Sequence, residues 1–357
     1  MSNKYHITYT PGLAHFFLEK KCSIILSTYQ AGKVITIGST DGIDLYQIPV
    51  SFKKPMGIAL HDSKLAIASL EEVTFFSNNE DISKTINLND RKFDSVYLQR
   101  SEYNSSTLDI HDIHFGDGIL WGVNTLFSCL CTFDINYNFR PKWKPPFIDA
   151  LAPEDRCHLN GMAFDEKSKL PKYVTALGTT NTMKGWRLTK MSGGVLMEVP
   201  SGETILKGLA MPHSPEIIDG ELYLLESGKG TLIKVDTETR EAEIIFDFGC
   251  FVRGISHCDG FLFIGKSKIR NSSSTVSDFD DLDVKENSIN AGVIIFDLKR
   301  KVIIGEINYD NTVEEIYDIK VFKGLRKPLV LGNKSDKYKK IITFPGNVFW
   351  RKEKENK

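Results

Sequence analysis

The strongest feature of the sequence is a repeated unit in which two apolar runs flank an Asp-Gly dipeptide. It occurs at Ile113 to Asn124 (IHFGDGILWGVN), Glu216 to Ser227 (EIIDGELYLLES) and Ile255 to Ser267 (ISHCDGFLFIGKS). Both central residues of a type I′ turn need positive φ, which Asp and Gly tolerate well, so each copy predicts an antiparallel hairpin. The repeat therefore predicts an all-β chain.

Three weaker copies, at residues 57–69, 161–177 and 318–332, keep the same order of apolar run, turn and apolar run. The six copies align on Gly57, Asp112, Gly161, Pro215, Gly254 and Asp318, with steps of 55, 49, 54, 39 and 64 residues. Spacing of this size is typical of propeller blades that carry loop insertions. We expect a β-propeller with six blades, and seven blades is the alternative.

A propeller closes when segments from the two ends of the chain share one blade. Strands predicted at residues 23–29, 33–38 and 43–50 lack a partner, which the apolar runs at 316–331 and 341–344 can supply. We expect the N- and C-terminal strands to share the last blade.

The repeat runs without an interrupting linker, which predicts one closed body. We expect an N-terminal lead-in over residues 1–22, a single propeller domain over 23–345 and a charged tail over 346–357.

The composition narrows the class of partner. Lys and Arg number 45 against 46 Asp and Glu, which gives no support for a nucleic-acid partner. No apolar run approaches the length of a membrane span and the N-terminus lacks the apolar core of a signal peptide, so we expect a cytoplasmic protein without membrane association. The expected partner is a small-molecule ligand, and a protein partner is left open.

The six cysteines are expected to be reduced thiols of the core, because the chain is long and carries no export signal. Cys129 and Cys131 lie two apart on a predicted strand and so face the same side. A zinc site would need a second close pair, which the sequence lacks.

Two insertions interrupt the repeat. Residues 136–156 are rich in proline and are expected to pack over one end of the propeller without forming a strand. Residues 270–290 are rich in Ser and Asp, and predict either a solvated loop or a mobile lid in the fifth blade.

Polar residues recur where the innermost strands begin and the next strands end, which in an antiparallel meander is one face of the disk. The candidate residues at this channel mouth are His111, His158, Asn160, His213, Arg253 and Tyr317 from the strand starts, and Asn124, Glu226, Lys266 and Lys268 from the strand ends. A six-bladed propeller can fold without polar side chains at these positions, so the set is a candidate functional site.

These residue types suggest two kinds of chemistry. His111, His158 and His213 can act as catalytic acids and bases, or they can bind a divalent metal ion with Glu226 as a fourth ligand. Arg253, Lys266 and Lys268 suit an anionic substrate. Asn124, Asn160, Glu226 and Tyr317 are the other expected substrate-binding residues.

Structural roles are the alternative for each of these residues. A single histidine at a blade start can bond a neighbouring backbone, Glu226 can cap its own turn, and Lys266 and Lys268 can be solvated. Asp155 and Arg156 can form an ion pair that locks the insertion. His114 and His257 are expected to be structural, and Cys157 is not expected to pair with His158, because adjacent strand residues face opposite sides.

Several motifs carry a resemblance to a known family: PEDRCHLNG (153–161), VTALG (174–178), GLAMPHSP (208–215), SKIR (267–270) and EIYD (315–318). The chain resembles an uncharacterised bacterial family of conserved hypothetical proteins, some of which are fused to tetratricopeptide repeats. The resemblance implies no reaction, but its motifs PEDRCHLNG, MPHSP, SKIR and EIYD fall on the channel-mouth positions that the repeat selects.

Residues 213–236 are more loosely similar to six-bladed propellers of the gluconolactonase and senescence-marker type. That similarity implies a divalent metal at the channel mouth, held by Glu, Asn and Asp side chains. The histidine-rich set of this chain differs, so lactone hydrolysis is not implied.

We expect a small-molecule enzyme with a histidine-rich site at the channel mouth. Its substrate would be an anionic metabolite or a modified amino acid or sugar. The alternative is a non-catalytic propeller that binds a ligand or a protein.

Overall fold

The three Asp-Gly pairs form the turns that their sequence predicts. Both residues of each pair have positive φ, with values of 47° and 74° at Asp117 and Gly118, and 51° and 83° at Asp219 and Gly220. The third pair, Asp259 and Gly260, has φ values of 50° and 81°. Each turn joins the innermost strand of a blade to the second strand, so the repeat in the sequence is the repeat of the fold.

The computed structural model describes residues 5–85, 92–268, 290–310 and 312–351. The N-terminal segment contributes the edge strand β1 (Ile7–Tyr9), helix α1 (Leu13–Glu19), and strands β2 (Cys22–Ser27), β3 (Lys33–Gly38) and β4 (Tyr46–Ser51). A single 3-10 turn, Tyr29–Ala31, separates β2 from β3.

Five blades follow in chain order, each an antiparallel meander that runs outward from the channel. Blade one contains β5 (Ile58–His61), β6 (Lys64–Ala68), β7 (Glu72–Asn78), helix α2 (Glu80–Thr85) and β8 (Ser95–Asn104). Blade two contains β9 (Ile110–Gly116), β10 (Ile119–Asn124), β11 (Cys129–Asp134) and β12 (Tyr137–Trp143). Blade three contains β13 (Leu159–Phe164), β14 (Pro171–Ala176), the 3-10 helix Gly185–Leu188, β15 (Gly194–Glu198) and β16 (Thr204–Leu209).

Blade four contains β17 (Pro212–Ile218), β18 (Glu221–Glu226), β19 (Thr231–Asp236) and β20 (Glu241–Asp247). Blade five contains β21 (Phe251–Cys258), β22 (Phe261–Ser267), β23 (Gly292–Asp297) and β24 (Val302–Tyr309). The C-terminal segment contributes β25 (Asp318–Lys323), β26 (Pro328–Leu331), helix α3 (Asp336–Lys340), β27 (Ile341–Phe344) and β28 (Asn347–Trp350).

Blade six is shared between the two ends of the chain, in the order β25, β2, β3, β4. Strand β25 pairs antiparallel with β2, with Ser27 opposite Asp318 and Cys22 opposite Lys323. The six-bladed propeller with a shared closing blade is therefore confirmed. Of the C-terminal runs expected to close it, only β25 does so, because β26 pairs in parallel with β8 of blade one and β27 pairs with β28 as a separate hairpin.

The core lies between neighbouring blades. A typical cluster fills the space between blades five and six, where Phe17 of α1 and Ile24 of β2 pack with Phe263 of β22. All six cysteines are free and buried, as expected. Among the described residues, no helix is long and apolar enough to cross a membrane.

The first insertion differs from the expectation. Residues 137–143 form β12, which pairs with β11 as the outer strand of blade two. An edge strand tolerates Pro141 because one side of it needs no ladder hydrogen bond. The remainder packs inward through the buried Ile148. Residues 270–289 of the second insertion lie outside the described residues.

Candidate active site

The inner strands pack in a ring at the level of the alignment positions, except that in blade four the ring residue is Ser214, one before Pro215, where the register shifts. Blades one, three and five carry Gly57, Gly161 and Gly254 there. A Cβ atom added to Gly57 would lie 2.9 Å from the Cα of Asp112, and one added to Gly161 would lie 2.6 Å from the Cδ of Pro215. These two contacts are shorter than real Cβ contacts, so glycine is required where blades one and three meet the next blade. Gly254 has a positive φ of 78°, which favours glycine at the corresponding position of blade five.

Blades two, four and six carry polar side chains in the same ring. Each accepts a hydrogen bond from the backbone of the next blade: Asp112 from the Met162 amide (3.0 Å), Ser214 from the Gly254 amide (2.9 Å) and Asp318 from the Ile58 amide (2.7 Å). Buried amides need such partners, so these bonds fix the inner strands relative to one another.

The predicted mouth residues His111, His213 and Tyr317 each lie one position before this ring, on blades two, four and six. With Asn160 and Arg253 of blades three and five they line the upper part of the channel. The cavity in the channel has a volume of about 30 Å³. A cavity needs roughly 10–15 Å³ to hold one water molecule, so the channel admits water and a metabolite would have to bind above it.

His158 is held by the carboxylate of Asp155, for which the sequence had suggested Arg156 as the partner. Its Nδ1 lies 3.1 Å from both carboxylate oxygens of Asp155, and the Trp186 Nε1 donates to Asp155 Oδ2 at 3.0 Å. All three side chains are buried. Asp155 and His158 both adopt left-handed backbone conformations, with φ of 48° and 51°. Backbone strain of this kind clusters at functional sites.

His111 lies beside His158, with 4.7 Å between the ring centroids and the rings nearly perpendicular. Its Nδ1 lies 3.1 Å from the Asp109 carbonyl oxygen. A carbonyl only accepts hydrogen bonds, so Nδ1 carries the proton and Nε2 keeps its lone pair. Burial, followed by the neighbouring His158 and Arg253, lowers the pKa of His111 well below its usual value, which keeps the ring neutral.

His213, like His111, carries its proton on Nδ1, and it lies in a more apolar part of the channel mouth. Its Nδ1 donates to the Met211 carbonyl at 2.9 Å and lies 3.0 Å from Ser227 Oγ. Its ring centroid is 6.3 Å from that of Phe251. Burial and the positive charge of Arg253 lower the pKa of His213 well below its usual value.

The opposite wall is a stack of aromatic and cationic groups. The Arg253 Cζ lies 3.4 Å from the centroid of the Tyr317 ring, which stacks on Tyr29 at 5.7 Å. The Tyr317 hydroxyl is buried and has no hydrogen-bond partner in the described part of the chain. Burial raises the pKa of Tyr317 well above its usual value, so the hydroxyl remains a donor. Arg253 Nη1 also lies 3.6 Å from Glu315.

The other predicted binding residues have structural partners. Asn160 accepts from Thr175 at 2.7 Å and donates to the Pro212 carbonyl at 3.0 Å, which ties blade three to blade four. Asn124 accepts from the Phe127 amide at 3.0 Å and so holds its own turn.

Three predicted residues come from the ends of the second strands. Glu226 accepts from the Ala210 amide (3.0 Å) and from Lys229 (2.8 Å), which matches the capping alternative. Lys266 pairs with Glu306 at 2.6 Å within blade five. Lys268 follows β22, and its amide donates to the Glu314 carbonyl.

The geometry does not favour a metal on His111, His158, His213 and Glu226. Within the described ranges, no three His, Cys, Asp or Glu side chains are grouped so that they would hold a metal ion. Glu226 is occupied by Lys229 and by the Ala210 amide. The divalent metal remains a prediction from the sequence.

Several assignments of structural roles are confirmed. His114 stacks on Phe164 at 4.0 Å, and His257 accepts from the Gly260 amide within its hairpin turn. Burial raises the pKa of the Cys157 thiol to about 12, which makes it a poor nucleophile. The alternative in which Asp155 pairs with Arg156 is wrong, because Arg156 pairs instead with Asp149 and Glu154.

Sequence reasoning missed Asp155, Trp186 and Tyr29 as parts of the mouth. Asp155 adjoins an arginine in the chain, which suggested the wrong partner. Trp186 and Tyr29 lie on two 3-10 turns outside the repeat, so the alignment of blades gave no signal for them.

The comparison with protein families covers nearly the whole propeller. A family model described as "Domain of unknown function (DUF4915)" matches residues 11–331. The chain belongs to the DUF4915 family. The DUF4915 match agrees with the expected membership of an uncharacterised family, and it does not test the individual motifs. No curated protein matches the chain.

Solved structures resemble this DUF4915 chain in fold. A structure described as "Crystal structure of Nidogen/Laminin Complex" matches with a TM-score of 0.54 and 9% identity, over 85% of this chain and 99% of that one. A "Streptogramin B lyase structure" matches with a TM-score of 0.40 and 12% identity, over 79% and 74%. The first likeness supports the propeller fold alone, and the second TM-score is too low to bear on fold or function.

Proposed function

We propose that this DUF4915 chain is an enzyme that acts on a small anionic metabolite at the channel mouth. In this proposal His158 is the general base, Asp155 positions it, and His111 is a second acid or base. The observation that supports the proposal most strongly is the buried Asp155–His158 pair, fixed by the Trp186 hydrogen bond.

A general base needs a lone pair at a fixed position, and a carboxylate on the far nitrogen of an imidazole supplies that fixation. Asp155 binds His158 Nδ1 through both oxygens, which leaves Nε2 as the basic atom. When Nε2 takes a proton, the adjacent carboxylate stabilises the imidazolium. The bond from Trp186 keeps Asp155 from rotating away.

His111 supports the proposal through its distance from His158 and its neutral ring. At 4.7 Å between centroids, both imidazoles can reach the same small substrate. A neutral His111 can accept a second proton or return one that it has received. Two bases with different surroundings, one facing a carboxylate and one facing a carbonyl, can take different roles in one reaction.

Arg253 and Tyr317 are the proposed anion-binding groups. A guanidinium has five N–H donors, and the Glu315 contact involves only Nη1. The Tyr317 hydroxyl adds a buried donor next to His111, with 5.6 Å between their ring centroids. Both groups match a carboxylate or phosphate. Lys268 is proposed to add positive charge at the rim.

The test is to incubate a metabolite extract with the wild-type protein or a matched variant and to measure by mass spectrometry which metabolites are consumed and formed. His158→Gln should lower the rate of any conversion by ~100-fold or more, the size typical of a lost general base. Asp155→Asn should lower the rate and change its pH profile, because the amide no longer favours the imidazolium. His61→Asn is the control, since His61 is an exposed histidine in a hairpin turn.

Circular dichroism and thermal melting would show that each variant folds. If a metabolite binds without being converted, or if conversion is equal in His158→Gln and His61→Asn, the assignment of His158 as base is wrong. Binding without conversion would instead support the non-catalytic alternative.

A further inference from the structure

The C-terminal hairpin, β27 and β28, lies beyond the residues that the family model matches, which end at Leu331. Its register places Ile342 opposite Phe349 and Phe344 opposite Asn347. Directly opposed residues of an antiparallel pair share a face, so these four residues form one face of the hairpin. Residues 341, 343, 348 and 350 form the other.

The inner face fixes the hairpin to blade one. Ile341 and Val348 pack against a cluster that includes Ile82 and Leu98. Arg100 of β8 donates to Thr343 Oγ1 at 2.8 Å. The hairpin is therefore held in one orientation, with the outer face directed away from the propeller.

The outer face is apolar and exposed. Ile342, Phe344 and Phe349 are 51%, 53% and 49% exposed, and the two phenylalanine rings stack at 5.6 Å. A contiguous apolar patch on one rigid face is typical of an interaction site.

Cationic residues surround the base of this hairpin. Helix α3, which leads into β27, has Lys337, Lys339 and Lys340 in its last turn, and Arg351 follows β28. The Arg351 amide donates to the Lys340 carbonyl at 2.8 Å, so the two ends of the hairpin meet within this basic region. Asp336 is the acidic residue of the helix, and it pairs with Lys339.

We propose that the outer face of the hairpin docks on an anionic membrane surface. Its aromatic and aliphatic side chains would enter the boundary between headgroups and acyl chains, and the basic residues at its base would contact anionic headgroups. A symmetric dimer through the same face would bring two basic regions together, which like-charge repulsion disfavours. The absence of a spanning segment in the sequence does not bear on docking of this kind.

The test is co-sedimentation of the full chain with sucrose-loaded vesicles of phosphatidylcholine alone or with about a third phosphatidylglycerol, at low and high salt. The wild-type protein should bind the anionic vesicles, and binding should weaken with salt because the Debye length falls to roughly 3 Å at 1 M. Phe344→Ser with Phe349→Ser should lower the partition coefficient by ~10-fold or more. Lys339→Glu with Arg351→Glu should remove the preference for anionic vesicles.

Ile135→Ser is the matched control, because Ile135 is 95% exposed and lies outside the hairpin, in the turn between β11 and β12. It should leave binding unchanged. The proposal is overturned if wild-type protein does not bind anionic vesicles at low salt, or if the double serine variant binds equally well. It is also overturned if light scattering shows a dimer that the double serine variant dissociates while vesicle binding persists.

Discussion

Blades one, three and five differ from blades two, four and six at the ring where the inner strands meet. The odd-numbered blades have glycine there, and the even-numbered blades have Asp112, Ser214 and Asp318. An added Cβ on Gly57 or Gly161 would collide with the next blade, and one on Gly254 would lie 3.1 Å from the Asp318 Cα. The glycine of one blade therefore makes room for the strand of the next, and at the level of this ring it is the even-numbered blades that carry side chains.

The even-numbered blades carry these side chains in three layers. The layers are His111, His213 and Tyr317 at the mouth, Asp112, Ser214 and Asp318 in the ring, and His114, Glu216 and Lys320 below it. The mouth layer is neutral at neutral pH. The layers below carry the formal charges, while Arg253 of blade five and His158 at the start of blade three complete the mouth.

Lys320 is the cation of the lower layers, and it lies 3.0 Å from Asp318. Burial raises the pKa of Asp112 and of Glu216 to about 7. Burial lowers the pKa of Lys320, but the charges of Asp318, Asp112 and Glu216 outweigh that effect and raise it overall. Three carboxyl groups thus share one ammonium group inside the channel.

The largest expected effect comes from breaking the glycine pattern. Gly161→Ala places a Cβ 2.6 Å from the Pro215 ring and should lower the free energy of unfolding by about 3 kcal/mol. Gly118→Ala is the control, because its Cβ would meet open space and only the positive φ of 74° is penalised, at about 1 kcal/mol. Urea denaturation measures both, and equal losses would show that the ring is not tightly packed.

Removing the channel cation should have the next largest effect. Lys320→Met leaves three carboxyl groups without a counter-charge and should lower the free energy of unfolding by about 2 kcal/mol at pH 8. At pH 5 the loss should be smaller, because Asp112 and Glu216, with pKa values of about 7, are then mostly protonated. Urea titrations at the two pH values test this, and a loss that is independent of pH would contradict it.

Glu216→Gln should stabilise the protein in alkaline solution. A carboxyl group whose folded pKa is about 7 binds more protons in the folded than in the unfolded state, so its contribution to stability falls as pH rises from about 4 to 7. Removing the charge should raise the free energy of unfolding by about 1 kcal/mol at pH 8 and change it little at pH 4. Thermal melting across this pH range checks the sign, which would reverse if the carboxylate were stabilising.

The smallest expected effect tests the hydrogen bonds of the ring. Ser214→Ala removes the acceptor for the Gly254 amide and should cost about 1 kcal/mol or less, because channel water can replace part of the bond. Hydrogen exchange at the Gly254 amide should become faster in the variant. Unchanged exchange at this amide would mean that Ser214 does not hold blade five.

The sequence by itself determined the hairpin repeat and the closure of the ring. Turn type follows from local φ preferences, and Asp117 and Gly118 show this directly. The period of the repeat located the six inner strands, and with them His111, His213 and Tyr317. The prediction that residues 136–156 contain no strand was wrong. Proline argues against a strand only where both edges of the strand form ladder hydrogen bonds, and Pro141 lies in the outer strand β12, which pairs along one edge.

Only the tertiary structure decided which side chains become partners. Asp155 turns from its neighbour Arg156 to His158, where the left-handed backbone of both residues brings the side chains together, and the indole of Trp186, 31 residues away, fixes the carboxylate. Glu226 turns inward to cap Ala210 at the start of its own blade. The lower layer of Glu216 and Lys320 likewise joins blades four and six, about a hundred residues apart in the chain. Local preferences are encoded over a few residues, whereas side-chain partners across a closed ring depend on register and contact between blades, which a single sequence does not display.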